Sequence, residues 1–239
     1  GLHALIVKQG DKLLFEHYGE GTDEIWGRPL GMVRFGPDIL HDIRSVSKSV
    51  VALVYGIALA AGKVPPPEAN LYHQFPEYRE LGEHSGHDRL TIHHALSMTL
   101  GLDWEEIAIS YDDPRNSDTQ MELSPDRLRF VLERPAVEAP GVKWRYCGGA
   151  TALLGRLIEK GSGETLLAYS KRVLFDPLGF GAAEWTVGHD GEARADSGLR
   201  LLPRDMAKLG ELVLAGGAWQ GKRVVPAEWI TRITTPVVA

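Results

Sequence analysis

Residues Val50 to Ala61 read VVALVYGIALAA, twelve positions without a charged side chain. A run of this length is too short to span a bilayer and must instead be buried by the rest of the chain. It therefore predicts a central helix around which everything else is packed. Five of the six residues before it, Arg44-Ser45-Val46-Ser47-Lys48-Ser49, are polar. Helix geometry puts Ser45 and Lys48 one turn apart on one face, with Ser45 at the positive end of the helix dipole. Gly62 is the expected C-cap, and Pro65-Pro66-Pro67 stops the helix.

A serine hydroxyl becomes a nucleophile when a neighbouring base takes its proton. Lysine serves as that base only when neutral, and burial beside an apolar helix predicts a lowered pKa for Lys48. The competing assignment is an N-cap serine and a solvated first-turn lysine. Ser45 is the only serine in the chain followed by lysine three residues later. That match stands at the head of the most apolar helix, where a charged lysine is expensive.

Around this helix the chain reads as α+β. The segment LHALIVKQGDKLLFEHYG predicts a hairpin about Gly10-Asp11, while residues 21–44 read as irregular. Thr91 is the expected N-cap of IHHALSM, and Ser124-Pro125 that of DRLRFVLER. GATALLGRLIEKG is a helix closing at Gly161, and GETLLAYSKRVL is another. SGLRLL is a short strand, RDMAKLGELVLAGG an amphipathic helix, and Pro226 opens AEWITRI. A lone hairpin is not a stable sheet, and beyond the short SGLRLL no further strand run is visible before Ala239.

Composition narrows the classes. With 239 residues, 44% hydrophobic and 24% charged, the chain can bury a real core. A net charge of −6 without a Lys/Arg block argues against a nucleic-acid partner. Cys147 is the single cysteine, so no intrachain disulfide forms; a buried, inert thiol is expected. No signal peptide is visible, and localisation stays open between cytoplasm and export with a removed presequence. His93-His94 and the adjacent pairs Glu105-Glu106 and Asp112-Asp113 do not share faces, so neither a metal site nor a general-acid pair is expected from them.

The motif RSVSKS before an apolar helix resembles the serine β-lactamase and penicillin-binding superfamily. The likeness is strongest to its class C branch, which includes family VIII esterases, 6-aminohexanoate-dimer hydrolases and D,D-peptidases. GLHALIVKQGDKLLFEHYGEG is similar to that family's opening hairpin. LTIHHALSMTLGLDWEE resembles its LTI-x-x-LL-x-H-T-S-G-L segment. APGVKWRYCGGATALLGRLIEKGSGET and SGLRLLPRDMAKLGELVLAGGAWQGKRVVPAEWI resemble its Y-x-N helix and its GGL-x-x-(S/T)-x-x-D-x-A stretch.

The resemblance implies a single β-lactamase-like domain over 1–239, an α+β fold with a small antiparallel sheet flanked by helices. Its α/β lobe would span about 1–62 and 191–239 and its helical lobe about 63–190. It implies Ser45 as the acylated nucleophile, Lys48 as its base and Tyr146 as a proton carrier. Tyr111 and Asp112, in the loop at 104–121, become candidate substrate contacts. Two departures stand out. Gly148 occupies the Asn position of Y-x-N, and no K-T-G or H-x-G sequence follows Leu201, so the C-terminal sheet strands look missing. The implied activity is hydrolysis of a small ester or amide through a Ser45 acyl-enzyme, without metal, cofactor, nucleic acid or integral membrane segment. The alternatives are a penicillin-recognising D,D-peptidase or β-lactamase, and a catalytically inert homologue that binds. Oligomeric state is not implied.

Overall fold

Gly10, at φ 54°, turns the chain between β1 (Ala4–Gln9) and β2 (Lys12–Tyr18). The two strands pair antiparallel, with a bulge after Val7. The computed structural model describes residues 1–83 and 86–238. Residues 21–34 are not irregular, contrary to the sequence expectation, which holds for 35–40. β3 (Glu20–Ile25) and β4 (Arg28–Arg34) form a second hairpin about Trp26-Gly27, both at positive φ. This strand pattern is inverted: β3 turns Gly21 and Asp23 inward, and β4 leaves Leu30 and Met32 exposed. The burial of Asp23 is compensated by a 2.8 Å ion pair with buried Arg200.

The hairpin is therefore not alone. A third sheet, in the order β5 (His41–Asp42), β7 (Leu199–Leu201), β6 (Ala183–Trp185), is antiparallel throughout. A fourth small hairpin joins β8 (Ala218–Trp219) to β9 (Lys222–Arg223).

The apolar run forms α1 (Val46–Ala60), in which Val50, Val51, Val54, Tyr55 and Ala58 lose all contact with solvent. Each large side chain so buried contributes about 1.5–3 kcal/mol. Gly56 lets α8 (Ala227–Ile233) lie directly on α1: a Cβ there would stand 2.1 Å from Trp229 Cδ1. Trp229 Nε1 donates to Ala52 O at 2.8 Å and its ring stacks on Tyr55.

The helical part comprises α2 (Ile92–Leu96), α3 (Ser117–Leu123), α4 (Arg127–Leu132), α5 (Gly148–Ser162) and α6 (Leu166–Ser170), followed by α7 (Pro203–Leu214). Thr91 caps α2 as expected, reciprocated by His94. Asp126, not Ser124, caps α4, its carboxylate accepting from Arg129 N at 2.9 Å. α5 runs past Gly161 to a left-handed Gly163. Gly161 is needed for a different reason: Lys63 O lies where its Cβ would be. The helix begun by α6 changes to a π-helical turn over Lys171–Phe175. Among the described residues, no helix is long and apolar enough to cross a membrane.

Candidate active site

The turn entering α1 sets the first group. Arg44 adopts φ 47°, which a non-glycine residue rarely takes, and its N–H donates to Asp42 Oδ1 at 3.2 Å. Ser45 follows at the N-cap position, but its side chain makes no capping hydrogen bond and is left for other partners. Ser47 is not a simple helix-start residue. Its hydroxyl is fully buried, donates to Arg44 O at 2.6 Å and accepts from Leu199 N at 3.2 Å, tying the turn to β7.

Tyr146 comes from the opposite side. Met98 and Gly101 are at positive φ, and their carbonyls, with that of Thr99, receive N–H groups from residues 137–145. Arg145 N donates to Met98 O at 2.9 Å and Gly141 N to Thr99 O at 2.8 Å. Gly101 is required there, because a Cβ would lie 2.4 Å from Glu138 O. Held this way, Tyr146 places its hydroxyl 2.5 Å from Ser45 Oγ, as donor. Lys48 Nζ donates to the same oxygen at 3.3 Å and lies 4.8 Å from the centre of the Tyr146 ring.

The environment of Lys48 overturns one sequence expectation. Its side chain is largely buried, and burial does disfavour the ammonium. The Asp196 carboxylate 3.6 Å away, then Tyr146 and Glu106, outweigh that cost. The net result is a pKa above the ordinary lysine value, not below it. Lys48 also donates to Asp196 O at 2.9 Å. An ammonium has donors only, so Lys48 holds the site's charge while the Tyr146 oxygen is the closer group to Ser45.

Three buried carboxyls surround this core, and reading the sequence missed all three. Glu106 accepts from Gly148 N at 2.7 Å, Trp104 Nε1 at 2.8 Å and Tyr111 OH at 2.9 Å. Asp118 starts α3, aimed by Asn116, whose side chain accepts from Asp118 N and donates to Glu106 O and Ile109 O. Asp196 precedes β7. Nothing local in the sequence marks Asp118 or Asp196; Glu106 was visible only as half of an adjacent pair.

Of the remaining candidates, Tyr111 reaches the site through Glu106 and is half exposed. Asp112 is not brought to it: it is exposed, and its N–H donates to Ser110 Oγ at 3.3 Å. Gly148 sits at the first turn of α5 against Asp118 and Asp196. Cys147 is buried, and burial pushes its thiol pKa up. His94 is engaged in the α2 cap, with Nδ1 3.1 Å from both Thr91 N and Thr91 Oγ1.

Comparison with known proteins fits this geometry. The 6-aminohexanoate-dimer hydrolase of Paenarthrobacter ureafaciens is 26% identical over 96% of this chain and 56% of its own. Esterase EstB of Burkholderia gladioli is 29% identical over 75% of this chain and 45% of its own. The chain thus spans about half the length of these curated relatives. A Bacillus anthracis structure, provisionally named a 6-aminohexanoate-dimer hydrolase, superposes with a TM-score of 0.77 at 18% identity, covering 96% of this chain and 58% of that one. The fold is thereby shown to be β-lactamase-like. Residues 1–236 match the family described as beta-lactamase, and the chain belongs to that family.

Proposed function

We propose that this chain carries the acylation machinery of a serine hydrolase that cleaves a small ester or amide through a Ser45 acyl-enzyme. The observation that carries the reading is the convergence of Tyr146 OH and Lys48 Nζ on Ser45 Oγ, at 2.5 and 3.3 Å. In the reacting form Tyr146 has given up the proton that it donates to Ser45 Oγ in the structure; Ser45 attacks the substrate carbonyl carbon and its own proton passes to the Tyr146 oxygen, beside the Lys48 ammonium. The tetrahedral intermediate collapses as the leaving alcohol or amine takes that proton from Tyr146. Water, deprotonated by the same oxygen, then releases the acid and restores Ser45.

The Ser45 N–H supplies one oxyanion donor. Among the described residues it has no hydrogen-bond partner, and it opens the first turn of α1. The esterase and 6-aminohexanoate-dimer-hydrolase names of the relatives favour ester or linear amide substrates.

The test is covalent. The protein is treated with a fluorophosphonate, weighed intact and mapped by peptide mass spectrometry. An adduct on Ser45 that is absent from Ser45→Ala supports the reading. A folded protein that takes no adduct overturns it and leaves Ser45 as a structural residue.

A further inference from the structure

Gly148 stands where the resembling family carries the asparagine of Y-x-N, and the space its side chain would need is taken. A Cβ on Gly148 would lie 2.3 Å from Asp118 Oδ1 and 3.2 Å from Asp196 Oδ2. The carboxyl of Asp118 thus arrives from α3 at the place that an amide on α5 would fill. Asp118 is 5% and Asp196 1% exposed. Asp196 has Lys48 at 3.6 Å, and Glu106 has its three donors. Asp118 Oδ1 is buried with no hydrogen-bond partner among the described residues.

Three carboxyls around one ammonium cannot all be charged cheaply. The carboxyl without a donor or a close cation is the one that keeps its proton. A protonated carboxyl and a primary amide have the same shape, with one acceptor oxygen and one donor edge. We propose that Asp118, as a neutral carboxylic acid in the space at Gly148, replaces the missing side-chain amide as a positioning residue for the neighbouring Lys48. The inference rests on the serine-hydrolase reading above.

The electrostatics agree with the geometry. Asp118 is pushed up to about 8, first by burial, then by the charges of Asp196 and Glu106, against the opposing pull of Lys48 and Arg194. The groups facing it are Lys48 from α1, Glu106 and Tyr111 from the loop before α3, Cys147 at the head of α5, and Arg194 and Asp196 from the loop before β7. Below that value Asp118 is neutral. Above it a further carboxylate, without a donor of its own, faces the Lys48 ammonium and opposes the charge that develops at the reacting carbonyl.

The test compares four variants, Asp118→Asn, Asp118→Ala, Gly148→Asn and the double Gly148→Asn/Asp118→Ala. The readout is the rate of fluorophosphonate labelling at Ser45 from pH 6 to 10, with thermal melts as the check on folding. Asp118→Asn, which fixes the neutral form, is expected within about threefold of the parent at pH 7, and Asp118→Ala at least about tenfold slower. The parent rate is expected to fall as pH rises through about 8, and Asp118→Asn is expected to lack that limb. Gly148→Asn places two side chains in one space and is expected to be at least about tenfold slow. The double variant is expected to regain about threefold or more over either single change.

Asp118→Asn as slow as Asp118→Ala would show that the carboxylate is what matters and would overturn the proposal. So would a parent and an Asp118→Asn with the same pH profile. If Gly148→Asn does not fold, the two Asp118 variants still decide. A parent that takes no label at Ser45 defeats the serine-hydrolase reading itself, and this inference with it. That outcome is distinct from normal labelling with no difference between Asn and Ala at 118.

Discussion

Tyr146→Phe isolates the step that the site geometry makes decisive. The change removes one oxygen and leaves the ring, which keeps its tilted contact with Trp144 at 6.1 Å and its place beside Lys48 at 4.8 Å. The lost hydrogen bond joins two partly solvated hydroxyls, so the stability cost is about 0.5–1.5 kcal/mol. The kinetic cost is larger. In the proposed mechanism the Tyr146 oxygen, 2.5 Å from Ser45 Oγ, is the proton acceptor; among the described residues the other group hydrogen-bonded to Ser45 Oγ is Lys48 at 3.3 Å, an ammonium with no lone pair. A positioned general base contributes typically about 10²–10⁴ in rate, or roughly 3–5 kcal/mol of barrier. The assay is the second-order rate of Ser45 labelling by a fluorophosphonate, followed by intact mass, with p-nitrophenyl butyrate as an ester substrate. The expected loss is at least about 10²-fold at pH 7.5 with the melting temperature shifted by only a few degrees. A Tyr146→Phe rate within about threefold of the parent would refute this reasoning and return the base role to Lys48.

Three further outcomes are expected. Lys48 has a folded pKa above its unfolded value of 10.5, so the stability it adds is fully present below that pH and is lost as pH rises through the folded value; the melting-temperature difference between the parent and Lys48→Met should be constant below about pH 7, where Asp118 is neutral, and be lost only above about 10.5. Gly101→Ala forces a Cβ to 2.4 Å from Glu138 O at φ 72°, and chemical denaturation should show a loss of about 1–3 kcal/mol together with slower Ser45 labelling, since the same turn suspends Tyr146. Cys147 should resist iodoacetamide in the native protein and react once denaturant is added, because the thiolate is disfavoured by burial; rapid native labelling would contradict that placement.

The parts legible in the sequence were those with a local signature. The twelve-residue apolar run specified α1, the Gly10-Asp11 turn specified the first hairpin, and serine and lysine three apart on a helix specified two of the three groups at the site. The third, Tyr146, came from resemblance rather than from spacing. The second hairpin escaped because β3 turns Asp23 inward, where Arg200 from β7 neutralises it. That reversal of the usual binary pattern is explained only by a residue about 180 positions away. The direction of the Lys48 pKa shift was misread for a similar reason. Burial was visible beside the apolar run, but the groups that together outweigh it, Asp196 first and then Tyr146 and Glu106, lie far along the chain. Asp118 is equally hidden: an acidic residue in the first turn of a short helix is ordinary helix chemistry, and only the space at Gly148 gives it another meaning.

The Ser47 hydroxyl has a mechanical consequence. It clamps the turn carrying Ser45 to Leu199, while Lys48 grips the backbone of Asp196 three residues earlier. Ser45, Lys48 and Asp196 are therefore tied to one another, as one strut, through β7 and the segment before it. Tyr146 hangs from a separate bracket, the hydrogen bonds to the carbonyls of residues 98–101. The gap between strut and bracket is spanned at Ser45 Oγ by a 2.5 Å hydrogen bond, with the Lys48 ammonium beside it 4.8 Å from the Tyr146 ring. Since a misplacement of about 1 Å can cost on the order of 10² in rate, loosening either support should register in acylation before it registers in melting. The site is in this sense a gauge of how well two distant pieces of the chain are braced against each other.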